Sequence, residues 1–371
     1  MKRISIIWIC AVIVFVLQAQ YGRADYRKLT APESSDMILS GDGINSQETS
    51  AKDAFIIFEK DGTPFLSDDS ARSLQRQETG GSDAGMKRVP LADPFILTYE
   101  NKYYAYGTSS PDGIVVYTSD DLEYWTKNPV LALHKDNSYA ERRFWAPEVY
   151  YVNGKFYMYY SADEHICVAT GDSPLGPFKQ DRHEPMMDEK AIDNSLFIDD
   201  DGKAYLFFVR FTDGNAVWVA ELNDDLKTLK METLHLCLHV SQDWENIMAR
   251  VNEGPFVIKR NGIYYMTYSA NHYQSHDYGI GVAMANQIMG NWEKYASNPL
   301  LRRPPGLFGA GHHCLFKDKN GRLCVAFHAH KSNNAVHPRE MYITTAEFIQ
   351  NQNTGEYMLS ISPDYRIPYV K

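Results

Sequence analysis

The chain has 371 residues, with 47 acidic against 37 basic side chains, a formal net charge of −10, 44% apolar content and 13% aromatics. That composition supplies a large core and excludes disorder as the overall class, and one large β unit can accommodate a chain of this length. No basic footprint balances the acids, which argues against a nucleic-acid partner and suits a neutral one.

Residues 1–24 read as a secretory signal. Lys2 and Arg3 precede an apolar run of 14 residues, Ile4 to Leu17, shorter than the roughly 20 a spanning helix needs. Gly22-Arg23-Ala24, or Ala19, offers small residues for cleavage. An uncleaved anchor is the competing reading. Removing the segment leaves 34 basic against 47 acidic groups, a net of −13. The expected location is secreted or periplasmic, with no membrane contact beyond the signal. Export permits disulfides, but Cys314 and Cys324 flank one turn out of register. Cys167, Cys237, Cys314 and Cys324 are therefore expected as buried free thiols, and no zinc spacing occurs. Residues 25–87 read as a leader or linker with at most one or two strands, Ala54 to Phe58 being the strand-like piece.

From residue 88 to 371 the chain reads as one domain with an internal repeat. Five times a polar turn leads into an aromatic strand: Asn101 before Lys102 to Tyr106, Gly154 before Lys155 to Tyr159, Gly202 before Lys203 to Phe207, Gly262 before Ile263 to Thr267, and Gly321 before Arg322 to Ala326. Gly and Asn tolerate the positive φ of tight hairpins. The markers lie 53, 48, 60 and 59 residues apart with no convincing amphipathic helix between them. Repeats of several short strands at this period predict an all-β, five-bladed β-propeller, against the alternative of a β-sandwich with aromatic hairpins.

Nine residues ahead of the marker stand Trp145, Asp193, Glu253 and His312, and Asp93 stands eight ahead of Asn101. Each should begin the strand that leads into its hairpin, so that equivalent positions converge on the central channel. Asp93, Asp193 and Glu253 are thereby expected in one pocket. All three sit in apolar or Gly/Pro surroundings, where a carboxylate is unusual without a partner or a function.

Ala92-Asp93-Pro94, Trp145-Ala146-Pro147-Glu148, Ile192-Asp193 and Glu253-Gly254-Pro255 resemble the motifs that open the blades in glycoside hydrolase family 43. These are five-bladed propellers that remove arabinofuranose or xylose from plant polysaccharides. The resemblance covers residues 90 to about 350. It implies an inverting mechanism with Asp93 as the base that activates water, Glu253 as the acid that protonates the leaving oxygen, and Asp193 as the neighbour whose charge raises the pKa of Glu253. No cofactor is required for that chemistry. The resemblance also places His312 near the channel, where it would hold a structural calcium ion through water or serve simply as a structural histidine. Arg339 resembles an arginine that reaches the pocket from the last blade; a surface salt bridge is its alternative.

Trp145, with Phe144 beside it, offers an apolar wall for a sugar ring or ordinary core packing. His328 and His330 alternate on one strand and belong to the channel or the core. The loops at 134–144, 241–252 and 271–278 are the expected pocket walls, with His272 and Tyr273 able to contact sugar. The favoured function is an exported inverting α-L-arabinofuranosidase acting on plant cell-wall oligosaccharide or polysaccharide. β-Xylosidase and endo-arabinanase are the alternatives on the same scaffold. A non-catalytic glycan-binding propeller would fit better had one of the three carboxyls been missing. A retaining hydrolase of the invertase type would need Arg-Asp-Pro and Glu-Cys pairs, which are absent.

Overall fold

The computed structural model describes residues 85–352 and 355–371. The signal segment 1–24 and nearly all of the leader 25–87, including Ala54 to Phe58, lie outside the described residues.

The described chain is all-β, and its helices are three short 3-10 turns. The hairpin markers behave as their residue types require. Asn101, Gly154, Gly202, Gly262 and Gly321 all have positive φ. Glu100-Asn101, Asn153-Gly154 and Asn261-Gly262 have positive φ at both positions, the signature of the two-residue turn that matches strand twist. The third and fifth copies use wider turns, in which Asp199 N bonds Lys203 O and Asp318 N bonds Arg322 O, both at 2.9 Å.

Five separate sheets result. Each begins with the strand that precedes one marker: Ala92–Tyr99, Trp145–Val152, Ala191–Ile198, Asn252–Arg260 and Gly311–Lys317. Each of these first strands lies at the edge of its own sheet and packs against the next, and the fifth packs back on the first. The ring they form gives a propeller-like arrangement. Tyr369–Val370 slots between Lys87–Arg88 and Tyr124–Lys127 in the first sheet. Both ends of the described chain are thus tied into one sheet, which leaves fewer open edges to pair elsewhere.

The first strands are enclosed almost throughout; Ala191 to Leu196 are six consecutive buried residues. That enclosure explains why the motifs look apolar around their acids. Buried polar groups there need partners, and Asn194 Nδ2 accordingly donates to Cys167 O at 3.0 Å. Cys167, Cys237, Cys314 and Cys324 are all free thiols, with Cys237 only partly buried.

Candidate active site

Each first strand carries a one-residue bulge near its start. The register slips between Ala92 and Phe95, Trp145 and Glu148, Ile192 and Ser195, Glu253 and Phe256, and Gly311 and His313. Just inside each bulge one residue is left-handed: Asp93 at φ 50°, Ala146 at 42°, Asp193 at 57°, Gly254 at 54° and His312 at 42°. Gly, Asp and His are the types that adopt this conformation most readily, and Ala146 is the exception. A bulge re-aims a side chain. Here five of them do so at the same end of one ring.

This corrects the sequence alignment by one residue. Asp93, Asp193 and His312 share the left-handed position, whereas Glu253 and Trp145 precede it, in the place of Ala92. Counting back from the hairpin glycine missed the slip because hairpins of unequal width absorb it.

Asp93 is the most heavily engaged of the carboxyls. Arg339 Nη1 donates to Oδ1 at 2.6 Å and Nη2 to Oδ2 at 3.3 Å. His328 Nδ1 lies 3.2 Å and His312 Nδ1 3.5 Å from Oδ1. Burial opposes ionisation, but Arg339 and the two imidazoles outweigh it and hold Asp93 well below the ordinary carboxylate range. Arg339 Nη1 lies 3.2 Å from His328 Nε2, and the backbone N–H of Asp93 points at His328 Nδ1 from 3.1 Å, so donors face both ring nitrogens. Burial, then Arg339, pushes His328 down to about 3, so the ring stays neutral.

Glu253 is held from two sides. Tyr278 OH donates to Oε1 at 2.8 Å and Asn215 Nδ2 to Oε2 at 3.0 Å. Burial raises its pKa to about 7; the phenol lowers it in part, and the charge of Asp93 raises it again. Gly311 makes room for Tyr278, since a Cβ there would meet the Tyr278 ring at 2.4 Å. Asp193 accepts from Gly254 N through Oδ2 at 3.2 Å, its own N–H donates to Ser161 Oγ at 3.0 Å, and His312 Nδ1 lies 3.9 Å from Oδ2. Burial first, then Glu253 and Asp93, raise Asp193 well above the ordinary range. The charge of Glu253 disfavours ionisation of Asp193, and that of Asp93 disfavours ionisation of both.

His312 bridges the group, its N–H donating to Ser269 Oγ at 2.8 Å. Gly254 gives its ring space; a Cβ there would meet the imidazole at 3.4 Å. Calcium takes oxygen ligands, whereas His312 Nδ1 is turned toward Asp93 and Asp193. Among the described residues no group of three or more His, Cys, Asp or Glu is arranged to hold a metal directly. His312 would meet a calcium ion only through water.

Phe144 is 2% exposed and stacks on Tyr160 at 6.4 Å within the core. It therefore presents no face to a sugar, contrary to expectation. Trp145 is partly buried and packs on the core cluster that contains Ile192 and Trp244. His272 and Tyr273 are partly exposed and stacked at 4.9 Å. Tyr273 covers the Arg339 guanidinium at 4.7 Å, and its carbonyl is bonded by His330 Nε2 at 2.8 Å. Asn215 and Ser161 escaped the sequence reading because they stand on a third and a second strand, outside the repeat position, whereas Tyr278 ends the 271–278 loop expected as a pocket wall. Glu148 was quoted in a motif but given no role. It accepts from Tyr150 OH, and burial pushes its carboxyl up to about 8.

This constellation can present an ionised carboxylate opposite a protonated one in a site screened from water, which is the requirement for acid–base hydrolysis. An endo-1,4-β-xylanase from Bacteroides thetaiotaomicron has a similar structure, with TM-score 0.73 and 46% identity over 77% of this chain and 99% of its own. An extracellular exo-α-(1→5)-L-arabinofuranosidase of Streptomyces chartreusis is 27% identical over 66% of this chain and 81% of its own. A β-D-galactofuranosidase of Aspergillus niger is 25% identical over 80% and 90%. The profile of glycosyl hydrolases family 43 matches residues 86–352. With that match the chain belongs to glycosyl hydrolases family 43, as an all-β, propeller-like glycoside hydrolase.

Proposed function

We propose that this is an exported, inverting α-L-arabinofuranosidase of plant cell-wall saccharides, its five sheets being five blades of a catalytic domain that spans 88–371. Asp93 is the base, Glu253 the acid, and Asp193 the residue that shares the acid's proton and positions it. The observation that carries this reading is the opposite electrostatic fate of two carboxyls in one ring. Arg339 keeps Asp93 ionised, while burial keeps Glu253 protonated up to about pH 7.

Inversion needs a base and an acid on opposite faces of the sugar, about 6.5–9.5 Å apart, with water between base and anomeric carbon. Asp93 takes the proton of that water as its oxygen attacks, and Glu253 gives its proton to the departing oxygen. Asp193 bonds Gly254 N, the residue after the acid, and so steadies Glu253 through both protonation states. The chemistry asks for no cofactor.

Action on xylosides is the second reading, favoured by 46% identity to the Bacteroides protein named an endo-1,4-β-xylanase. Nitrophenyl α-L-arabinofuranoside and nitrophenyl β-D-xyloside, assayed side by side, separate the two. NMR of the first-formed anomer tests inversion. Glu253→Gln should lower kcat by about 10²–10⁴ with the thermal transition retained. A variant as active as wild type, or release of the retained anomer, overturns the assignment.

A further inference from the structure

Nine large apolar side chains stand exposed among the described residues, and three of them lie on a strand end and a loop that meet beside Glu253: Phe211 at 45%, Ile247 at 53% and Met248 at 58%. Phe211 is paired across the strands with Asn215, the residue whose amide holds Glu253 Oε2. Asn215 N in turn bonds Arg250 O at 3.0 Å, and Arg250 Nη2 pairs with Asp213 at 2.5 Å. The strand end carrying Phe211 and the loop carrying Ile247 and Met248 are thus fastened together at the acid.

The loop is firmly held. Glu245 is fully buried and accepts from Ser241 N at 2.7 Å, Tyr268 OH at 2.7 Å and Lys294 Nζ at 2.8 Å. Lys294 also reaches Asn252, next to Glu253, at 2.9 Å. Asn271 Oδ1 accepts from Met248 N at 2.8 Å. A loop braced by a buried ion pair holds Ile247 and Met248 in place while their side chains stay in water.

Resting on the hydrolase reading above, in which Glu253 protonates the leaving oxygen, we propose that Phe211, Ile247 and Met248 form an apolar platform for the neutral pentose unit on the leaving-group side of the scissile bond. The acid and the leaving sugar must be neighbours, since one proton passes between them. A pentose ring presents C–H faces to apolar side chains while its hydroxyls stay in water. The three side chains carry no charge, and Arg250 and Asp213 on the same two segments are paired with each other, so the surface favours an uncharged saccharide chain over a charged one.

The test compares wild type with Phe211→Ser/Ile247→Ser/Met248→Ser, and separately with Met248→Gln, on arabinotriose and xylotriose. For the trisaccharide that wild type cleaves, KM should rise about tenfold in the triple variant and about twofold in the single one. Inhibition by the free pentose product, which occupies the other side of the bond, should stay within twofold. An unchanged KM overturns the platform, and so does an equal loss of product inhibition, which would put these side chains on the wrong side. A wild type that cleaves neither trisaccharide nor the nitrophenyl glycosides overturns the hydrolase reading itself, which separates the two failures.

Discussion

Replacing Glu148 by Gln removes an ionisable group near Asp193 while keeping an oxygen that can accept the Tyr150 hydroxyl. Burial carries this carboxyl from 4.5 to about 8, and donation by Tyr150 and Ser195 offsets only part of that. Because the folded protein binds this proton more tightly than the unfolded chain does, the stability it contributes is complete below pH 4.5. It is lost as the pH rises through about 8. At about 1.4 kcal/mol for each tenfold change in proton affinity, the loss has a ceiling of roughly 5 kcal/mol. Glu148 keeps some solvent contact, so roughly 2–3 kcal/mol is the working figure after screening. An amide has no such proton to lose. Thermal unfolding of wild type and Glu148→Gln at a series of pH values should therefore give curves that diverge. From pH 5 to 8.5 the variant should gain roughly 3–5 °C relative to wild type. Any pH-independent cost of placing an amide there is common to both ends and cancels. Parallel curves would mean that the carboxyl ionises as it does in water, and would refute burial as the controlling effect.

Tyr278→Phe removes a donor that favours the charged form of Glu253. The acid then holds its proton to higher pH, and the alkaline limb of kcat/KM should move upward from about 7; a limb that stays or moves down contradicts the account. Arg339→Lys replaces a two-pronged partner of Asp93 with a point charge. Less of the opposition to burial survives, so Asp93 titrates higher. The acid limb of kcat/KM should then rise, with the alkaline limb moving far less. Equal movement of both limbs would show that Arg339 acts on the pocket as a whole rather than on Asp93.

The sequence by itself determined the class of fold and singled out the three carboxyls, but not Asn215, Tyr278 or Ser161, which contact them. Turn residues that tolerate positive φ recur at near-regular intervals, and each is followed by an aromatic strand, so local rules alone require repeated hairpins. Asp93, Asp193 and Glu253 stood out because a carboxylate inside an apolar strand is costly unless something compensates it. What only the tertiary structure decided is the alignment and charge of those groups. The bulges that turn Asp93, Asp193 and His312 inward depend on pairing between strands, which a single strand's spacing does not record. Phe144 and Trp145 are neighbours in sequence, yet Phe144, just ahead of the strand Trp145–Val152, lies in the core and Trp145 is left partly exposed. Which carboxyl is ionised depends on Arg339, 246 residues from Asp93, and on the exclusion of water by five strands at once. Proton affinity is set by everything within a few ångströms of the group, and closing the ring of first strands is what brings those groups together.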